Sequence, residues 1–235
     1  FVERLFVSST HETLLFFTNQ GRCYWLKVHE VPQASRYARG TAIINLLSFQ
    51  KDERLTALLT VKEFVAERQL VMATRQGTIK KTPLSEYANP RKAGIIAITL
   101  DTGDELIEAG VTEQTQQVLI ITRQGKAIRF SEEDVRQVGR SARGVRGIRL
   151  GKGDAVIAME LVQPKAELLT VTTLGFGKRT PIDEYRLQSR GGKGIIAIKV
   201  TKKNGEVVGA KTVSDQDESP RRTRTKQPKR PRQSL

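Results

Sequence analysis

Cysteine is nearly missing from this sequence. One residue, Cys23, is present among 235, which excludes a disulfide framework and a thiolate zinc site. Long apolar runs are missing as well. Runs such as Leu14–Phe17 and Val118–Ile121 have four residues and none exceeds five, whereas a spanning helix needs roughly 20. The two histidines, His11 and His29, have no cysteine or carboxylate at ligand spacing, so no metal site is expected. No G-x-x-x-x-G-K-[ST] loop occurs, and ATP binding is unsupported. Gly175-Phe176-Gly177 falls in a turn without the following helix that a dinucleotide fingerprint needs. No Ser-His-Asp set or carboxylate pair stands out; Asp101, Asp104 and Glu105 read as a polar strand boundary. Helical periodicity never outlasts a turn or two. There is no signal peptide, and a chain that opens on Phe1 is expected to be a fragment.

What is present is positive charge. Forty Lys and Arg stand against 25 Asp and Glu, for a net +15. A chain this basic is expected to meet a polyanion, nucleic acid first. Seven of the basic residues lie in 219–235, with three prolines and no acid. That tail cannot join a core and is expected to be disordered, either a solvated end or a source of non-specific phosphate contact. The remaining body is basic in its own right.

The body repeats itself. One element recurs as LLFFTNQG (14–21), LVMATRQG (70–77), VLIITRQG (118–125) and LLTVTTLG (168–175), each followed by a short basic strand. Strand, turn ending in glycine, strand: this predicts a β-hairpin. A second element recurs as RYARGTAIINL (36–46), RKAGIIAITL (91–100), SARGVRGIRL (141–150) and SRGGKGIIAIKV (189–200), with aligned glycines at 40, 94, 144 and 194. Each is a basic glycine loop running into a short apolar strand, and a further β segment closes each unit. Single turns of helix are expected at 84–87, 132–138 and 182–185. The fold class is therefore all-β: a propeller-like array of blades of about 50 residues and four strands. Four repeats are visible, over about 1–61, 62–112, 113–162 and 163–213, with 214–235 as the tail. The ring is expected to be incomplete.

The charges follow the repeat. The four hairpin turns and four glycine loops together hold 20 basic residues and no acidic one. Stacked blades would join them into a basic band suited to the phosphate backbone of a long duplex. Glycine beside arginine or lysine lets the backbone approach and offer N–H groups to phosphate. In 139–149 arginines recur every third residue among three glycines, an extended arginine-lined loop. Tyr87 and Tyr185 occupy equivalent places in TPLSEY and TPIDEY and read as repeat architecture.

The stretches ATRQGTIKKTPLSEYAN, ITRQGKAIRF, GRSARGVRGIRL and GKRTPIDEYRLQSRGGKGIIAIK resemble the C-terminal domain of the bacterial DNA gyrase A protein, over about residues 1–213. That family is a β-pinwheel, a six-bladed disc whose basic rim binds and bends DNA. Its signature is the box Q-R-R-G-G-K-G. Here Gln188-Ser189-Arg190-Gly191-Gly192-Lys193-Gly194 matches six of seven positions, with Ser189 replacing the first arginine. The family's true box lies in the first blade, so this copy resembles the degenerate one found late in the domain. The four repeats would then be blades two to five. Family tails are often acidic, so the basic ending departs from the pattern and suggests a truncated or frameshifted sixth blade.

The resemblance implies a non-catalytic DNA-wrapping domain that gives ATP-dependent negative supercoiling its handedness. Phosphate contacts are expected from Arg190 and Lys193 of the box, from Arg140, Arg143, Arg146 and Arg149 of the arginine loop, and from Arg36, Arg39, Arg91 and Lys92. Lys80, Lys81, Lys126, Arg129, Lys178 and Arg179 would continue the track along the hairpins. The implied partners are double-stranded DNA and, in the parent enzyme, a gyrase A dimer with two gyrase B proteins. ATP and Mg2+ would be held by other domains, no cofactor by this chain, and the setting would be cytoplasmic and nucleoid-associated, with no membrane. The alternatives are the equivalent domain of topoisomerase IV and a propeller-type protein scaffold with a basic rim.

Overall fold

A computed structural model of the protein describes residues 7–113 and 115–214; the basic tail lies outside them. Each repeat opens with a hairpin. The first strands are β1 (Thr13–Thr18), β4 (Gln69–Thr74), β8 (Gln117–Thr122) and β12 (Glu167–Thr172). Their returns are β2 (Arg22–Lys27), β5 (Thr78–Pro83), β9 (Lys126–Ser131) and β13 (Gly177–Pro181). The turn is built alike four times. The glycine N–H at 21, 77, 125 and 175 donates to the carbonyl of Thr18, Thr74, Thr122 and Thr172, and each glycine has φ between 73° and 88°. A side chain is strained in that left-handed region, which explains the repeated glycine.

The closing strands are β3 (Leu55–Val61), β7 (Leu106–Thr112), β11 (Val156–Val162) and β15 (Val207–Val213), each antiparallel to the first strand of its own repeat. Neighbouring sheets touch through these strands, β3 on β7, β7 on β11 and β11 on β15, so they form the inner end of each blade. Three apolar clusters fill the spaces between successive sheets, the first around Leu15, Phe17, Met72 and Tyr87, the second around Ile79, Ile120 and Phe130, the third around Ile121, Leu168 and Tyr185. First strands sandwiched between two such clusters are apolar on both faces: β1 and β4 are buried at every position. A fourth cluster, Leu14, Phe16, Tyr24 and Leu47, caps the outer face of the first sheet.

The fourth strand departs from the sequence expectation of self-contained blades. It has two residues and comes from the following repeat. β6 (Ile95–Ile96) pairs with β2, β10 (Val145–Arg146) with β5, and β14 (Ile195–Ile196) with β9. The sheets therefore read β3-β1-β2-β6, β10-β5-β4-β7, β11-β8-β9-β14 and β13-β12-β15. Only the last has three strands, since no described repeat follows it. The expected strand after Gly40 is replaced by a 3-10 turn, Ile43–Asn45, because no preceding hairpin lies within the described residues to receive it. The other short helical turns fall at Val28–Glu30, Leu84–Tyr87, Glu132–Asp134 and Ile182–Glu184. Among the described residues no helix is long and apolar enough to cross a membrane.

Candidate nucleic-acid interface

The donated strands are the outermost in their sheets, so the basic glycine loops that carry them lie at the perimeter. There they flank the turns and return strands of the hairpins. Seating is tight. In each case the third and fourth N–H after the loop glycine converge on the carbonyl of a hairpin-turn glycine: Ala97 and Ile98 on Gly21, Gly147 and Ile148 on Gly77, Ala197 and Ile198 on Gly125. A Cβ on Gly94 would lie 2.6 Å from the Tyr24 ring, on Gly144 2.5 Å from the Ile79 oxygen, and on Gly194 2.4 Å from the Ala127 oxygen. These glycines permit close approach of two backbones, and the basic residues beside them are thereby fixed to the rim.

The basic residues proposed from sequence separate into two kinds. Arg39, Arg91, Lys92, Arg146, Arg149, Lys178 and Lys193 are exposed, and none takes part in an ion pair among the described residues. Arg36 is exposed and its guanidinium lies 4.7 Å from the Tyr37 ring centroid. Lys126 is half-buried at the foot of β9. Arg143 is exposed but pairs with Asp101 at 2.8 Å, and Arg179 pairs with Glu167.

The second kind holds the loops together. Arg190 donates from Nε to the Asp134 carbonyl at 2.8 Å and from Nη1 to the Arg146 carbonyl at 3.0 Å, tying the box to the preceding arginine loop. Arg140 donates to the Ile96 carbonyl at 2.6 Å, and its backbone N–H donates to Glu86 at 2.7 Å. Arg129 has only 14% of its side chain exposed and donates to Gln117 and to the carbonyls of Ile182 and Tyr185. Lys81 donates to the Glu132 carbonyl at 2.8 Å.

Lys80 requires a correction. It is fully buried and cannot extend a surface track. Its Nζ donates to the carbonyls of Ala97 and Arg140, the former at 2.7 Å, so it staples two successive glycine loops. Burial lowers its pKa to about 7; Glu86 pulls it back up and Arg140 pushes it further down. Unpaired burial would be costly, and the two carbonyls explain why a lysine is tolerated there.

Sequence reading also missed a cluster in the first sheet. Arg22 donates to the carbonyl of Gly94 at 3.2 Å and to that of Ala93, while lying 3.7 Å from the buried carboxylate of Glu53. Tyr24 donates to the same carboxylate at 2.6 Å, and burial raises the Tyr24 pKa, with the Glu53 bond adding to the effect. The signal for it was weak: Arg22 sits one residue after a turn glycine, and Glu53 holds the place of Asp104 and Asp154, two residues before the closing strand, but nothing in the sequence turns its carboxylate toward Arg22 and Tyr24. Tyr87 and Tyr185 are core residues, 0% and 2% exposed, and the Trp25 indole donates to the Tyr87 carbonyl. Asp104 accepts the backbone N–H of Gln76 at 2.8 Å, and Asp154 that of Gln124 at 2.9 Å; both close hairpin turns.

Comparison with known proteins follows the same four units. A family described as "DNA gyrase C-terminal domain, beta-propeller" matches residues 12–62, 68–113, 116–163 and 166–214. The DNA gyrase A protein of Klebsiella oxytoca is 50% identical over 147 residues, covering 63% of this chain and 17% of that protein. The chain thus spans about a sixth of the length of such relatives. A crystal structure of the C-terminal domain of DNA topoisomerase IV superposes with a TM-score of 0.80 at 27% identity, covering 88% of this chain and 65% of that one. A DNA gyrase A C-terminal domain superposes at 0.75, also with 27% identity, covering 88% and 67%.

Proposed function

Because the chain belongs to the DNA gyrase C-terminal domain family, a beta-propeller family, we propose that it binds duplex DNA along its perimeter and bends it around the blades. The observation that carries this reading is the rim itself. Donated strands hold carboxylate-poor glycine loops at the outer edge of successive blades, with Arg91, Lys92, Arg146, Arg149 and Lys193 exposed along it. Equal spacing of like charges on a curved edge favours a long, continuous polyanion over a compact ligand. Contacts of this type act on phosphates and are largely sequence-independent; bendable sequences are preferred because wrapping stores deformation energy in the duplex.

The domain performs no chemistry in this reading. It presents a bent segment to a strand-passing core formed by other parts of a gyrase-type enzyme, in which a gyrase A dimer joins two gyrase B proteins and ATP with Mg2+ is bound. The setting is the bacterial cytoplasm, on the chromosome. A topoisomerase IV role is the second reading, favoured by the slightly higher TM-score to that enzyme's domain; the gyrase reading rests on the 50% identical relative. A scaffold docking an acidic protein is the third.

Ligating a nicked plasmid in the presence of the protein tests the proposal. A handed shift in linking number, with strong preference for long over short duplexes, is the expected result. Binding without a shift would leave a simple DNA-binding module of the topoisomerase IV kind, and no length preference would favour the scaffold. Affinity should fall steeply with salt, because each neutralised phosphate releases counterions.

A further inference from the structure

The basic loops are evenly spaced along the rim, but the positive charge left free on them is not. Where the β8–β9 hairpin meets the glycine loops on either side of it, a cavity of about 230 Å³ opens. Three cations from three separate segments line it: Lys126 at the start of β9, Arg149 from the glycine loop of the third repeat and Lys193 from that of the fourth. Their side chains enter no hydrogen bond or ion pair among the described residues. The carboxylate that shares the cavity is already engaged: Asp154 accepts the backbone N–H groups of Gln124 at 2.9 Å and Ala155 at 2.8 Å. Backbone contacts hold the cations in place. The Lys126 N–H donates to Thr122 Oγ1 at 3.2 Å and the Arg149 N–H to the Gly192 carbonyl at 2.8 Å, while Lys193 precedes Gly194, which is seated against Ala127. Ile148 and Leu150 supply an apolar wall, which strengthens the pull of the three charges on an anion.

The same place on the β4–β5 hairpin differs in every one of these groups. Thr78 stands for Lys126, Thr99 for Arg149 and Arg143 for Lys193. Thr99 Oγ1 donates to the Ser141 carbonyl at 2.6 Å, and Arg143 is paired with Asp101 at 2.8 Å. Asp101 itself holds the place of Gly151: the carbonyl of each accepts the N–H of the aspartate three residues on, Asp104 or Asp154. One seam therefore gathers three unpaired cations, and the seam before it keeps a single cation that a carboxylate already neutralises.

We propose that the cavity between Lys126, Arg149 and Lys193 is a seat for one phosphate group of the bound duplex, an anchor from which the DNA runs more loosely across the β4–β5 hairpin. The inference rests on the duplex-binding reading above and adds that the rim contacts are unequal. At about 30 Å³ per water molecule, the cavity has room for a tetrahedral oxyanion and several waters. Charges converging from three backbone-held segments fix where that oxyanion sits, whereas a lone exposed lysine only attracts it; the ordering is done before the ligand arrives.

Gly151→Asp in the 235-residue chain tests this without removing a cation. Gly151 has no left-handed φ, and a Cβ there meets only Gln124 Oε1 at 3.8 Å, an ordinary contact. The added carboxylate should neutralise the seat as Asp101 neutralises Arg143. Gly139→Asp is the control: it makes the same charge change at an exposed rim position where a Cβ meets nothing within 4 Å. Gly151→Asp should weaken binding to a long duplex by about tenfold more than Gly139→Asp, the loss of one well-held charge-assisted contact. Arg149→Gln, which leaves the backbone untouched, should reproduce that loss. Pyrophosphate, as a free probe, should raise the melting temperature of the wild-type and Gly139→Asp proteins but not of Gly151→Asp. Equal losses of duplex affinity in Gly151→Asp and Gly139→Asp overturn the proposal and leave the DNA reading standing; if pyrophosphate protection is still selective, the cavity belongs to a free phosphate instead. A wild-type chain that binds no duplex overturns both.

Discussion

At the scale of single residues, the two basic members of the box have different jobs. Lys193 is exposed, while Arg190 is tied to the carbonyls of Asp134 and Arg146. Lys193→Ala should therefore leave the melting temperature unchanged, weaken DNA binding uniformly across sequences, and reduce the salt slope by about 1. Arg190→Ala should destabilise the fold by about 1–3 kcal/mol through its lost charge-assisted hydrogen bonds, measured by denaturant titration without DNA. Lys80 makes a separate, pH-linked prediction. Its pKa is about 7 in the fold against an ordinary 10.5, so between those values the unfolded chain binds the extra proton. Stability from this group is lowest below pH 7 and rises with pH, by up to about 1.4 kcal/mol per unit, until the unfolded lysine also loses its proton. Lys80→Met should flatten that slope in unfolding titrations from pH 7 to pH 10.

At the scale of elements, the glycine loop is a plug and the hairpin turn its socket. Gly194→Ala meets the Ala127 oxygen and a left-handed φ together, whereas Gly40→Ala meets the φ alone. The first substitution should lower the melting temperature by several degrees more than the second, with roughly 2–4 °C for each kcal/mol in a chain of this size. Much of this architecture was legible in the sequence. The TRQG turns, the fifty-residue period and the aligned glycines specify hairpins and loops through local backbone demands, and local demands are what a sequence displays. Strand exchange was not legible. Val145-Arg146 pairing with Ile79-Thr78 joins residues in different repeats, and a periodic sequence looks the same whether a strand stays with its own repeat or passes to the one before. Lys80 was misread for a related reason. Nothing beside Lys81 distinguishes a lysine that turns inward, because the carbonyls that hold it belong to Ala97 and Arg140, 17 and 60 residues away.

At the scale of the whole molecule, stability should be graded along the array. The second and third sheets are covered on both faces, but the fourth exposes Val171, Leu174, Phe176 and Val208 and has no outer strand among the described residues. Amide hydrogen exchange should show β13 opening first, with protection below that of β5 and β9 by more than about tenfold, since local opening there breaks the fewest buried contacts. Binding of a long duplex across all four blades should narrow that gap; a short duplex that reaches only the first two should not.

The donated strand also sets a counting rule. A lone repeat contains a plug and a socket that lie at opposite edges, so n repeats in an open tandem make n − 1 complete sheets and leave one plug and one socket over. Lengthening or shortening the tandem by whole repeats changes the circumference without changing those two ends. Size is thus free to drift by duplication or loss, while the way the array meets whatever lies before and after it stays fixed.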